Sequence, residues 1–161
     1  MLVELVPATA ADAGALAAIQ KKAFKRLYAL YQDEGSPYLR GEEEILRWLE
    51  RPGWKVFKIL ADGVLAGGLV ACERPDAPGE GYLARVYILP GMQRQGIASR
   101  ALLLCEAEFP AVSHWTLDFP AEQTANRRCY EKARYADTGK RLEQSQGKIV
   151  LALYEKQTQA K

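Results

Sequence analysis

The stretch from Tyr82 to Leu104 holds the residue types best suited to gripping an anion. A β-type run, Tyr82 to Leu89, is stopped by Pro90-Gly91, and Gln93-Arg94-Gln95-Gly96-Ile97-Ala98-Ser99 then opens a helix. The first N–H groups of a helix have no partner inside it, and the helix dipole adds positive potential at the same end. Together they make a phosphate site. Gly96 lacks a Cβ, so a phosphate oxygen can come close to the backbone. Ala98 keeps the second turn small, and Arg94 adds a full charge. The pattern Gln93-x-x-Gly96-x-Ala98 is loose on its own. Its seat between a proline-stopped strand and an amphipathic helix is what gives it weight.

Proton chemistry needs a donor and a base. Tyr130 is a phenol with an ordinary pKa of about 10, so at neutral pH it holds a proton that it can donate. A carboxylate, or a water held by one, can accept a proton. The candidate bases are Asp118, Glu80, and Asp33 and Glu34 in the loop Gln32 to Arg40. Asp118 can equally be a structural residue that accepts loop amides, and Glu80 can equally be a solvated charge. The loop itself, with two acids and Tyr38, suits either a cationic amine or a plain polar surface.

Several other chemistries are excluded. A single histidine and no Cys-x-x-Cys argue against a zinc site. His114 sits before a predicted strand with no serine motif nearby, which argues against a hydrolytic triad. Cys72, Cys105 and Cys129 are odd in number and widely spaced, so no disulfide framework is expected and the cytoplasm is the expected compartment. The chain has 161 residues, which predicts one domain over 1–156 and a frayed tail over 157–161. A hydrophobic share of 48% suffices for a sizeable core. Lys plus Arg is 22 against 20 acids, a net charge of +2, too balanced for a nucleic-acid arm or a polybasic anchor. No cluster of basic residues alternating with aromatics points to nucleic acid. No apolar run predicts a membrane span, and Met1-Leu2-Val3-Glu4 lacks the flank of a signal peptide.

The elements that must position these residues follow from periodicity and punctuation. Leu2 to Val6 reads as a strand. Thr9 can cap a helix in which Leu16, Ile19, Ala23, Phe24, Leu27 and Leu30 recur at helical spacing. Glu42 to Arg51 is a short second helix stopped by Pro52-Gly53. Trp54 to Ala61 and Val64 to Glu73 form a hairpin across Asp62-Gly63. After the strand Tyr82 to Leu89 come the helix Ile97 to Phe109, the strand Trp115 to Phe119 and the helix Ala121 to Arg134. Ala136 to Leu142 and Lys148 to Tyr154 close the chain as two strands. The order βααβββαβαββ predicts a mixed α/β (α+β) sheet of about seven strands flanked by four helices.

The run Val86-Tyr87-Ile88-Leu89-Pro90-Gly91-Met92-Gln93-Arg94-Gln95-Gly96-Ile97-Ala98 resembles the acetyl-CoA-binding motif of the Gcn5-related N-acetyltransferase (GNAT) superfamily. Cys129-Tyr130-Glu131-Lys132-Ala133-Arg134-Tyr135 is similar to that family's Tyr-Glu-Lys-Leu-Gly-Phe stretch, and the element order agrees along nearly the whole chain. The resemblance implies a splayed sheet, with the cofactor's pantetheine arm against the backbone of Val86, Tyr87 and Ile88. It implies the pyrophosphate on the turn Gln93, Arg94, Gln95, Gly96, Ile97, Ala98 and Ser99, and Tyr130 near the sulfur. The family's usual asparagine lies seven residues before the tyrosine; here that position is Gln123, and Asn126 is four before, so either amide is a candidate cofactor contact. Arg134 stands where the family commonly has a glycine cap, so an arginine must take the left-handed turn.

The implied activity is transfer of an acetyl group from acetyl-CoA to a primary amine of a small molecule or peptide, by direct attack in a ternary complex. A non-catalytic acyl-CoA sensor is the alternative. The implied partners are an amine acceptor and a second copy of the chain, without nucleic acid, membrane or metal.

Overall fold

The computed structural model describes residues 1–159. In chain order it has β1 (Val3–Pro7), α1 (Ala13–Tyr31), α2 (Glu42–Glu50), β2 (Trp54–Ala61), β3 (Val64–Glu73), β4 (Glu80–Ile88), α3 (Ile97–Ala107), β5 (His114–Pro120), α4 (Thr124–Lys132), β6 (Ala136–Gln144) and β7 (Ile149–Gln157). The strands form one open seven-stranded sheet in the order β1-β2-β3-β4-β5-β7-β6. This is the mixed α/β architecture that the element order predicts.

Local chemistry sets most of the boundaries. Asp62 and Gly63 both take positive φ, 49° and 80°, the twist that lets a two-residue turn join β2 to β3. The Asp12 carboxylate accepts the Thr9 backbone N–H at 2.8 Å and fixes the entry to α1. At the exit of α4, Arg134 is left-handed with φ 74°. Its N–H bonds the Glu131 carbonyl, and Tyr135 N–H bonds the Tyr130 carbonyl, both at 2.9 Å. That is a Schellman closure built on an arginine.

The sheet buries two faces. Leu69, Leu83, Ile88, Trp115, Leu117 and Phe119 pack with residues of α3 and α4 in one cluster. Val56 and Val70 pack with Ala13, Leu16 and Ile45 of α1 and α2 in the other.

The feature that makes a site is the seam between β4 and β5, the one parallel pair in the sheet. It holds for three residues, Glu80↔His114, Gly81↔Trp115 and Tyr82↔Thr116, and then the strands part. On the other side of β4, Val70 faces Arg85 while Ala71 faces Leu83, so Ala84 is an extra residue in a β-bulge. A bulge bends its strand and re-aims the residues beyond it. Past Ala84, β4 keeps its bonds to β3 and leaves β5.

Several boundaries differ from the sequence reading. α4 begins at Thr124 rather than Ala121, because Ala121 N–H bonds the Val150 carbonyl and Gln123 N–H turns back to Pro120. α3 ends at Ala107, before Phe109. The expected tail is shorter than 157–161: Gln157 belongs to β7, and Thr158 bonds the Ser113 and Val112 carbonyls. Residues 160 and 161 of that tail lie outside the described residues. No described helix is long and apolar enough to cross a membrane.

Candidate active site

A cleft of about 1220 Å³ opens where β4 and β5 part. One wall is Ala84 to Ile88 of β4, the other Asp118 to Pro120 of β5. α3 and α4 flank it on one side of the sheet, α1 and the loop after α1 on the other.

The anion turn is formed as its sequence requires. Arg94 and Gly96 are both left-handed, with φ 66° and 79°, and this folds successive N–H groups towards one concavity at the start of α3. A Cβ on Gly96 would sit 3.2 Å from Lys132 Nζ, so that ammonium faces the same turn from α4. Gln93, Arg94, Gly96, Ile97, Ala98 and Ser99 all line the cleft, as do Arg128 and Lys132. Gln95 is exposed and is not brought to it. The Gln93 amide donates to the Ile88 carbonyl at 2.9 Å, and Ser99 Oγ donates to the Gly96 carbonyl at 3.1 Å. These two side chains therefore hold the turn, and the backbone, Arg94, Arg128 and Lys132 are left for the anion. A backbone cradle that a side chain would fill, ringed by three cations, fits a diphosphate. Along β4, Val86, Tyr87 and Ile88 line the open slot. The Tyr87 ring itself is buried against Gly68, with its hydroxyl unpartnered among the described residues, so its contribution to the slot is backbone.

Of the two amides that the sequence leaves as candidates, Asn126 lines the cleft. Gln123 is used elsewhere: its Nε2 donates to the Tyr31 hydroxyl at 3.0 Å and its Oε1 accepts from Arg26 at 3.1 Å. It ties the end of α1 to the β5–α4 loop.

Tyr130 and Asp118 both line the cleft where β4 and β5 part. Tyr130 is 9% exposed and lines the cleft, with its ring centre 5.0 Å from that of Phe119. Burial, with Cys129 and Asp118 nearby, pushes its phenol well above the ordinary range, so it stays protonated. Asp118 lies between Leu117 and Phe119, both in the α3–α4 core, so the strand alternation turns it to the opposite face. Its carboxylate accepts the Tyr82 hydroxyl at 3.0 Å. Burial raises the Asp118 pKa, and the Tyr82 hydrogen bond and the charge of Arg74 partly offset the rise. A carboxylate so placed is a stronger base than one in water.

Glu80 is not brought to the cleft. It sits at the closed end of the seam, where it takes the Nδ1 side of the His114 ring at 2.6 Å, while Glu155 of β7 takes Nε2 at 2.8 Å. Asp33 lines the cleft. Glu34 does not line it, and its backbone carbonyl accepts from Arg40 at 3.3 Å. Tyr38 stacks on Tyr28, with ring centres 5.0 Å apart.

Sequence reasoning missed Tyr82, Arg85, Arg128 and Lys132. A signal existed for Arg85, since a charge amid Leu83-Ala84-Arg85-Val86-Tyr87-Ile88 must find a partner if the strand is buried. Arg128 and Lys132 are four apart and so share one face of α4.

The family model described as the acetyltransferase (GNAT) family matches residues 24–134. No curated protein matches the chain in sequence. Solved structures similar in fold include RimL, a ribosomal-protein alpha-N-acetyltransferase in complex with coenzyme A. It shares 18% identity with a TM-score of 0.79 and covers 99% of this chain and 96% of its own. PaiA N-acetyltransferase from Thermoplasma acidophilum, in complex with coenzyme A, shares 17% identity with a TM-score of 0.73, covering 98% and 100%. The ribosomal-protein-alanine N-acetyltransferase from Escherichia coli shares 16% with a TM-score of 0.71, covering 96% and 92%.

Proposed function

The chain belongs to the acetyltransferase (GNAT) family, with acetyl-CoA as its cofactor, and from that premise we propose that it acetylates a primary amine of a small molecule or peptide by direct attack in a ternary complex. When bound, acetyl-CoA supplies the acetyl thioester. The turn from Arg94 to Ser99, with Arg128 and Lys132, would hold the diphosphate, and the open edge of β4 from Val86 to Ile88 would hold the arm, since both line the cleft. The described chain works as a single catalytic domain.

The observation that carries the reading is the placement of Asp118 and Tyr130 on one cleft, from opposite faces of the sheet. Asp118 receives the acceptor on the α1 side and takes the proton that an ammonium must lose. Tyr130 Oη keeps a proton on the α4 side, where a sulfur leaving group needs one. Glu80, engaged with His114, has no part in this. Direct transfer is supported by the lack of an activated nucleophile: of the three cysteines only Cys129 lines the cleft, and burial pushes its pKa up to about 11. It is a thiol at neutral pH, and the thiolate is the reactive form.

The test is release of CoA thiol across a panel of amines by the wild type, Asp118→Asn and Tyr130→Phe, with acetyl-CoA binding followed by thermal shift. Acetyl-CoA at a hundredfold excess over its Kd stabilises the folded state by about 2.7 kcal/mol. Asp118→Asn is expected to lose about 10²–10⁴ in kcat with cofactor binding intact, and Tyr130→Phe about 10² or less, because a thiol is already a fair leaving group. Stabilisation by acetyl-CoA without thiol release on any amine would instead identify a sensor of the cofactor.

A further inference from the structure

Arg85 is the one residue of the cleft wall whose placement the acetyl-transfer reading leaves unexplained. It projects from β4, just past the Ala84 bulge, towards the α1–α2 side, where Ala84, Val56, Val70 and Trp48 make an apolar layer. Its guanidinium stacks over the Trp48 ring at 4.8 Å from the centre. Removing a guanidinium from water is costly even after relaxation, and an apolar residue of similar volume could fill the same gap. A buried arginine in a cleft therefore needs a reason.

The partners it has use one corner of the fork. Nη1 donates to both Glu44 of α2 and Gln20 of α1, and the Arg85 side chain is 14% exposed. Gln20 is fully buried, and its own amide donates to the Pro37 carbonyl at 3.1 Å, so the same side chain orients Arg85 and the loop beside it. Nε and Nη2 make no hydrogen bond to any described residue. Arg85 lines the cleft together with Ser36 and Pro37 of that loop, opposite the wall that carries Asp118. Ser36 is 2% exposed, and its Oγ accepts the Tyr38 N–H, which leaves its O–H free to donate. Two donors, one of them cationic and held rigid, thus face the acceptor half of the cleft.

Resting on the acetyl-transfer reading, we propose that Arg85 is a specificity residue that binds a carboxylate on the acceptor, so the preferred substrate carries both an amine and a carboxylate. The free edge of the guanidinium matches a carboxylate with two parallel N–H bonds. Asp118 takes the ammonium end. The two groups stand on opposite walls of a cleft of about 1220 Å³, which leaves room for an acceptor whose two charged groups are separated by several bonds, as in an ω-amino acid or a dipeptide.

The test compares 5-aminopentanoate with 5-aminopentanamide, and glycylglycine with glycylglycinamide, in the thiol-release assay. The wild type is expected to prefer each acid over its amide by tenfold or more in kcat/KM, mainly through KM. In Arg85→Gln the acid-to-amide ratio is expected to fall to about one. Because that variant leaves Glu44 with only Arg40, at 4.0 Å, as a cationic partner, Arg85→Gln with Glu44→Gln is run beside it, and both are checked for folding by melting temperature. An acid-to-amide ratio near one in the wild type overturns the proposal without touching the transfer activity. So does a preference that survives in a folded Arg85 variant. Absence of thiol release with every amine would instead fell the acetyl-transfer reading on which the proposal rests.

Discussion

Tyr82 donates its hydroxyl to the Asp118 carboxylate at 3.0 Å, across the point where β4 and β5 stop pairing. Tyr82 is the last β4 residue in register with β5, and Asp118 is two residues past its partner Thr116. The bond therefore bridges the fork of the V. It holds one carboxylate oxygen and leaves the other for an acceptor. Arg74 stacks on the Tyr82 ring at 4.9 Å, which fixes the phenol in turn.

This bond restrains the proposed base, Asp118, whose pKa burial has raised. Tyr82→Phe removes the donor and keeps the ring. The lost hydrogen bond favoured the charged carboxylate, so the Asp118 pKa should rise further. The acid limb of the kcat/KM profile is expected to move to higher pH, with the alkaline limb unchanged. A profile superimposable on the wild type would mean that Asp118 does not titrate in catalysis.

Gly96 carries the left-handed turn of the proposed diphosphate site, and a Cβ there would press on Lys132 Nζ at 3.2 Å. Gly96→Ala is expected to cost about 1–2 kcal/mol of stability from backbone strain alone. It should also weaken CoA at least tenfold by displacing Lys132 and filling the cradle. Calorimetric titration with CoA checks it, and unchanged affinity in the folded variant would place the diphosphate elsewhere.

Arg134 occupies a left-handed position, φ 74°, at which glycine is the unstrained choice. Its side chain is exposed, so little packing is lost on its removal. Arg134→Gly should raise stability by up to about 1 kcal/mol, a Tm increase of roughly 2–4 °C for a chain of this size. A lower Tm would show that the arginine contributes through its charge.

His114 is the only histidine, and each ring nitrogen meets a carboxylate, Glu155 on β7 and Glu80 on β4. Both contacts are hydrogen bonds at once only when the imidazole is protonated. Its pKa is accordingly raised, first by Glu155 and then by Glu80. A raised folded pKa means that the stabilisation is complete below the ordinary imidazole value of about 6.5 and is lost as pH climbs through the higher folded value. Stability from this clamp should therefore decline from near-neutral to mildly alkaline pH, and His114→Gln should flatten that part of the curve. Denaturant titration at several pH values, with the single imidazole resonance followed by NMR, checks both.

Sequence alone determined the elements and the anion turn, because both are local. Asp62-Gly63 fixes a hairpin, and Pro90 with Gly96 fixes a strand, a stop and a helix start, within a few residues and without outside help. The need for a left-handed arginine at 134 was legible for the same reason. Tertiary structure decided which charges share a space. Asp118 and Glu80 look alike on paper, yet one stands in the open fork beside Tyr82 and the other is closed off by His114. Gln123 and Asn126 are three residues apart, yet α1 claims the first and the cleft takes the second. Arg85 finds Glu44 and Gln20 from helices 41 and 65 residues away. Such pairings depend on where a bulge and three ladder pairs let two strands part, and that geometry is set by packing on both faces of the sheet.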